Sequence, residues 1–237
     1  MSNTPNSSSN HLVVGCGEIG SAIRDLLDAD ALDVVPEKSR FTEGHYGFVH
    51  ICFGYSPEFI KNVEDLQSRF TPKHLVIHST VPVGTSEALG AVHSPMRGKH
   101  PHMLEGLKAF VKYFGGPDAD ACAAPFKEKG VQCTIAASSR TTEAMKLWDT
   151  TQYGWNIILE KMIWDWCDKE GVDFDIVYTD ANRTYNEGYE KLGHPEYKKY
   201  VLKHIPGKMG GHCVVQNTGL FDSEAAWSIS IFNSQLP

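Results

Sequence analysis

Near its start the chain reads His11-Leu12-Val13-Val14-Gly15-Cys16-Gly17-Glu18-Ile19-Gly20. A short apolar run enters a Gly-x-Gly-x-x-Gly loop, and residues 21–27 continue with helical periodicity. In a strand–loop–helix of this kind the first glycine permits a tight turn. The second lets the backbone approach a pyrophosphate, and the third lets helix pack on strand. The phosphate then meets the helix N-terminus, where N–H groups and the dipole favour an anion. The loop therefore predicts a nicotinamide dinucleotide held by Gly15, Gly17, Glu18, Ile19 and Gly20.

Working outward, residues 32–35, 48–53 and 74–78 are further short apolar runs, as strands covered on both faces should be. Phe59, Ile60, Val63, Leu66 and Phe70 recur at helical spacing between the last two. Strand–helix alternation predicts an α/β domain over residues 11–138: a Rossmann-type, doubly wound, mainly parallel sheet. In an NAD enzyme a carboxylate near the end of the second strand bonds the ribose. Glu37 is the candidate, with Asp33 behind it; a solvated turn residue after Pro36 is an equal reading of Glu37. Lys38, Ser39 and Arg40 would instead suit the 2′-phosphate of NADP, so NAD is expected and NADP stays open.

The second half changes character. Residues 141–170 hold no proline and one glycine, with apolar residues at helical spacing from Ala144 through Leu147, Trp155, Ile158 and Met162 to Trp166. Gly171 is a natural stop, and shorter helices are expected near residues 173–189 and 195–204. A smaller all-helical domain over residues 139–237 is predicted. The tryptophans at 148, 155, 164 and 166 read as core or dimer-interface residues.

Composition removes other classes. Hydrophobic residues make up 41% and charged residues 22%, as in ordinary globular proteins. The formal net charge is −7 with no basic block, which excludes a phosphate-tracking nucleic-acid binder. No apolar run is long enough to span a membrane. Residues 1–10 are rich in Ser and Asn, without the apolar core of a signal peptide, and are expected to be disordered. The six cysteines show no Cys-x-x-Cys pair, as in a reduced, cytoplasmic protein. His93, His100 and His102, and His212 beside Cys213, match no zinc spacing, so no metal is expected.

Past the fourth strand, Ser79-Thr80-Val81-Pro82-Val83-Gly84-Thr85 resembles the Ser-Thr-Val-Pro-x-Gly-Thr signature of the UDP-glucose/GDP-mannose dehydrogenase family. Other segments follow in that family's order. Pro101-His102-Met103-Leu104-Glu105-Gly106 is similar to its Pro-Glu-Phe-Leu-x-Glu-Gly, shortened by one. Gly115-Gly116 stands where the family ends a strand in glycines, and Glu143-Ala144-Met145-Lys146 matches its Glu-x-x-Lys. Pro206-Gly207-Lys208-Met209-Gly210-Gly211-His212-Cys213 resembles the loop of its catalytic cysteine. The resemblance spans residues 11–217.

It implies that Cys213 is a nucleophile attacking an aldehyde, that Lys146 stabilises developing oxyanions, and that Thr80 and Glu105 handle water and protons. Thr80 would also line the cofactor cleft, and Thr150, Asn217, Gly210 and Gly211 the substrate side. The thiolate is the reactive form of cysteine, and backbone N–H groups of a Gly-Gly loop beside an ammonium would favour it. The family's dimer, formed through the long helix, is implied for residues 141–170.

Departures shape the functional expectation. Thr150 replaces the family's Asn, Asn217 its Asp, and His102 the Glu of its Pro-Glu-Phe segment. No counterpart of the family's C-terminal nucleotide-sugar domain is expected before Pro237. The expected function is an NAD(P)-dependent oxidoreductase acting on an alcohol or aldehyde of a small polar or sugar-like substrate. The alternatives are a non-catalytic dinucleotide-binding sensor and a β-hydroxyacid-type dehydrogenase.

Overall fold

The computed structural model describes residues 10–98, 101–211 and 213–236. His100, His212 and residues 1–9 of the expected disordered segment lie outside them. Asn10 itself is tied down, its side-chain oxygen accepting the Gly47 N–H at 3.1 Å and its carbonyl the Phe48 N–H at 3.0 Å. Contacts divide the chain into two compact units, Met1–Lys146 and Leu147–Pro237.

The first unit is built on seven strands among the described residues: β1 (His11–Val14), β2 (Asp30–Leu32), β3 (Phe48–Ile51), β4 (His74–Ile77), β5 (Val92–His93), β6 (Lys112–Gly115) and β7 (Cys133–Ala136). They lie in the order β2-β1-β3-β4-β5-β6-β7. All neighbours are parallel except β5 and β6, which meet antiparallel at His93 and Gly115. The order reverses between β1 and β3, and at such a switch point an open α/β sheet binds its ligand beyond the carboxyl ends of the strands.

Alternation along the strands sorts the core into two layers. Val13 and Val76 face α1 (Glu18–Leu27) and α5 (Ala119–Glu128), with Ile23, Leu26, Phe114 and Phe126. Leu12, Val14, Leu75 and Ile77 face α2 (Phe59–Phe70), with Phe59, Val63 and Phe70. Two short helices, α3 (Thr85–Ala88) and α4 (Met103–Ala109), follow β4 and β5. The Rossmann-type, doubly wound, mainly parallel sheet is thus present.

β2 ends at Leu32 rather than running through residues 32–35. Val34 is 99% exposed, and the Asp33 carboxylate takes the Val35 N–H at 2.9 Å, which turns the chain out of the sheet. β6 and β7 were not legible as apolar runs. β6 carries a buried lysine, and β7 lies at the sheet edge with Thr134 and Ile135 exposed.

Helix α6 (Ser139–Glu170) runs 32 residues without a break, and its first two turns belong to the first unit. In the second unit, Ile158 of α6 packs with Met209, Val214 and with Ile229 of α8 (Glu224–Gln235). α8 was not foreseen. A π-helical turn, Asp175–Asp180, leads into α7 (Ala181–Lys191). The helix expected over residues 195–204 is absent, apart from a 3-10 turn at Pro195–Tyr197. Side chains take its backbone groups instead: Asn186 bonds both the Lys199 N–H and carbonyl, and the Tyr178 hydroxyl accepts the Leu202 N–H.

Candidate active site

The carboxyl edge of the sheet is made by the turns after β1 to β5. Gly15 turns the chain at φ +89°, and a Cβ there would lie 2.8 Å from the Phe53 nitrogen. A Cβ on Gly20 would lie 1.8 Å from the Gly15 carbonyl oxygen, whereas one on Gly17 would meet nothing within 4 Å. Packing thus demands the first and third glycines, and the second leaves the backbone open above the loop. Gly17 caps α1 with no side chain of its own. Glu18 is exposed in the first turn, and Ile19 packs against the core.

A cleft of about 540 Å³ lies over this loop, lined by Cys16, Gly17, Glu18, Ser21, Arg24 and Lys38, with Pro101, Met103 and Leu104 across from them. The volume falls within the range of small-molecule and cofactor sites. Donors, an open backbone and space for an anion together fit a dinucleotide.

Asp33 stands at the end of β2. Its carboxylate accepts the Cys16 N–H at 2.5 Å and the Val35 N–H at 2.9 Å, and these two bonds hold its carboxyl below the usual range. Glu37 lies further on, exposed in the 3-10 turn Pro36–Lys38. Asp33, and not Glu37, therefore occupies the end-of-strand position. The cause is the early end of β2.

After β4, the Ser79 hydroxyl donates to the Phe53 carbonyl at 2.6 Å, and half-buried Thr80 follows it. His93 spans from the Ser79 carbonyl at 3.1 Å to the Thr142 hydroxyl at 2.9 Å. Burial lowers its pKa to about 3, so the ring is neutral and donates from one nitrogen only. Glu143, with no exposed surface, accepts the Gly84 N–H at 2.6 Å and the Ser86 N–H at 2.8 Å. Two segments 57 or more residues apart in the chain, Ser79–Thr85 and Glu143–Lys146, are thereby locked together. One turn on, Lys146 donates to the Met96 carbonyl at 3.0 Å. Glu105 is on an exposed face of α4, 4.0 Å from His102, and does not line the cleft. Nothing in the sequence pattern marked His93 as a strut or Met96 as the anchor of Lys146.

In the second unit the segment over residues 205–209 is held by two side chains. Lys161 donates to the carbonyls of Ile205 and Gly207, and Asn233 bonds both the N–H and carbonyl of Met209. Gly210 and Gly211 are exposed, Gly211 at φ +86°. Cys213 is exposed too. The Asn217 amide donates to the Cys213 carbonyl and lies 3.4 Å from the Thr150 hydroxyl. The two departures, Thr150 and Asn217, are therefore neighbours. Each suits the other, as a neutral amide and a hydroxyl do and a carboxylate without a cation would not.

No protein-family model matches the chain, and no curated protein matches it. Solved structures do. The fold is that of structures described as nucleotide-sugar and hydroxyacid dehydrogenases. UDP-D-ManNAc dehydrogenase from Pyrococcus horikoshii superposes with a TM-score of 0.75 at 16% identity, over 95% of this chain and 68% of that one. The 3-hydroxyisobutyrate dehydrogenase of Mycobacterium tuberculosis gives 0.68 at 12%, over 95% and 92%. UDP-glucose dehydrogenase from Pyrobaculum islandicum gives 0.66 at 15%, over 98% and 69%.

Proposed function

We propose that the protein is an NAD-dependent dehydrogenase acting on an alcohol or aldehyde of a small polar or sugar-like substrate. The observation that carries the reading is the junction at Glu143, which ties the segment resembling the Ser-Thr-Val-Pro-x-Gly-Thr signature to the helix turn bearing Lys146. The glycine loop and Asp33 at the switch point support the cofactor part. A bound dinucleotide would supply hydride acceptance.

The residues of the chain would bind and orient. Gly15, Gly17 and Gly20 shape the pyrophosphate turn, and the Asp33 carboxylate receives a ribose hydroxyl while repelling a 2′-phosphate, which favours NAD over NADP. Arg24 is already engaged by Asp25 at 2.7 Å. Thr80 borders the reacting end. Lys146 stabilises a developing oxyanion, and Cys213, as thiolate, attacks an aldehyde carbon to carry the second oxidation. Gly210 and Gly211 offer backbone N–H groups toward substrate. Glu105, exposed and away from the cleft lining, is given no part in the site.

The test follows NADH formation on panels of hydroxy acids, alcohols and sugars, with Cys213→Ser and Lys146→Ala beside the native chain. Loss of turnover in both variants, with NAD binding retained, supports the nucleotide-sugar-type reaction. Loss in Lys146→Ala alone supports a β-hydroxyacid reaction, for which the 92% coverage of the 3-hydroxyisobutyrate dehydrogenase speaks. Undiminished turnover in both sinks the site.

A second reading rests on Asn217. Its amide is spent on Thr150 and the Cys213 carbonyl where the resembling family has a carboxylate. Cofactor binding without turnover on any substrate would make the protein a dinucleotide sensor.

The long helix supplies a partner proposal. Trp148, Leu159, Met162 and Trp166 are each about half exposed along α6, and a cleft of about 420 Å³ opens among Leu159, Met162, Trp166 and Val177. An apolar face of this extent suits a homodimer.

A further inference from the structure

Three histidines stand side by side across the first unit. His11 Nδ1 lies 3.1 Å from His50 Nε2, and His50 Nδ1 lies 3.0 Å from His78 Nε2. The rings of β1, β3 and the residue after β4 run nearly parallel, with centroids 5.4 and 5.3 Å apart. His78 Nδ1 has two neighbours, the Ser94 carbonyl at 2.7 Å and the Lys112 ammonium at 3.3 Å. Toward the carbonyl that nitrogen must donate; toward the ammonium it must accept. It cannot do both at once.

Lys112 is itself buried, against the Ser94 carbonyl at 3.0 Å and the rings of Phe114 and Phe126. Among the described residues no carboxylate pairs with it. The titratable groups that act on it are Cys52, Cys133 and Lys146, with His78 in contact and His93 and His50 within Coulombic reach. At the far end His11 is half-buried and stacks on Phe48.

We propose that His78, His50 and His11 form a proton relay through which buried Lys112 exchanges its proton with solvent, and that the charge on Lys112 sets the tautomer of the whole chain. With Lys112 charged, its N–H points at His78 Nδ1, so His78 and His50 both carry their proton on Nε2. Discharge moves one proton along the row. The Lys112 N–H bond breaks and a proton joins His78 Nδ1; the Nε2 proton of His78 passes to His50 Nδ1, and that of His50 to His11 Nδ1. His11 gives its Nε2 proton to water. One proton leaves, every ring ends neutral, and His78 Nδ1–H now donates to the Ser94 carbonyl.

Burial supports this, because it holds the His50 and His78 rings neutral, and only a neutral ring has one donor and one acceptor nitrogen. It also lowers Lys112 to about 7. The inference is independent of the dehydrogenase reading.

The experiment is nitrogen-15 NMR of the histidine rings of the full chain from about pH 5.5 to about pH 9, with carbon-13 detection of the Lys112 side chain. His50 and His78 should pass together from Nε2–H to Nδ1–H with the midpoint of Lys112. In Lys112→Met both should stay Nδ1–H throughout. Should that variant not fold, coincidence of the three midpoints in the native chain still decides. His11→Phe should keep the Lys112 midpoint and slow exchange of its Nζ protons about tenfold, the weight of one hydrogen bond on the path. Tautomers that ignore pH while Lys112 titrates, or a Lys112 that stays charged to about pH 9, overturn the coupling. Unchanged exchange in His11→Phe overturns the route.

Discussion

Replacing Lys112 by methionine should remove from the stability the part that rises with pH above about pH 7. In the folded chain the Lys112 pKa falls from 10.5 to about 7, with burial as the main cause. At 1.36 kcal/mol per unit the charged form is disfavoured by about 5 kcal/mol. The sign follows from proton counting. Between about pH 7 and about pH 10.5 the unfolded chain holds a proton on Lys112 that the folded chain has released, so unfolding free energy rises with pH. Below about pH 7 both states are protonated and the full penalty applies.

Buried thiols act in the opposite direction at higher pH. Cys122 is pushed up to about 12 and Cys52 further, so the unfolded chain loses thiol protons first as pH passes about 9. Those thiols are common to both proteins, and subtraction removes them. Urea unfolding followed by far-ultraviolet circular dichroism, which reads the sheet that holds Lys112, would be run at several values from about pH 7 to about pH 9. The native chain should gain about 2.5 kcal/mol relative to Lys112→Met over that interval. Methionine fills nearly the same volume, so the comparison is of charge more than packing. Parallel curves for the two proteins would refute the buried, discharging lysine.

Acid should act through the histidines. His11 is lowered to about 4, His93 to about 3, and His50 and His78 well below 6.5, so stability falls as pH drops through 6.5 with a slope approaching four protons; uptake of fewer than about two protons on unfolding would contradict this. Gly20→Ala and Gly17→Ala should separate packing from binding. The first places a Cβ 1.8 Å from Gly15 and should lower stability by about 1–3 kcal/mol. The second should leave the melting temperature nearly unchanged and weaken NAD binding in calorimetry. Glu143→Gln turns one accepting oxygen into an amide NH2 facing an N–H, and should lower unfolding free energy by about 3 kcal/mol. Trp166→Glu on α6 should give a monomer in sedimentation if that face joins two copies, and no change in mass would remove the dimer proposal.

The α/β half was legible because its signals are local. Parallel strands covered on both faces must be apolar at consecutive positions, so residues 48–51 and 74–77 announce themselves, and the glycine loop marks where the chain must turn. β6 is marked only by the resemblance, at the glycines that end it, because Lys112 interrupts its apolar run. The burial of that lysine depends on Ser94, His78 and Phe126, which no local pattern brings near it. α8 escaped for a related reason. Trp227-Ser228-Ile229-Ser230-Ile231 alternates with strand period, yet the segment coils against α6 through Ile229 and its neighbours. Which carboxylate stands at the end of β2 depends on where that strand stops, and β2 stops at Leu32, where Asp33 accepts the Cys16 and Val35 N–H groups.

The glycine turn, the strand–helix alternation, the long helix and the motifs that resemble a dehydrogenase family are written in the order of the amino acids, since each depends on residues within one turn or one strand of each other. What those motifs touch is a matter of how the chain folds back on itself. Folding sets Glu143 on the backbone of Gly84 and Ser86, Lys146 on Met96, and Asn217 against Thr150. The sheet also aligns His11 of β1, His50 of β3 and His78, just past β4, into one row ending at Lys112. Hydrogen bonds and burial are properties of neighbours in space, and a parallel sheet makes neighbours of residues that the chain keeps far apart.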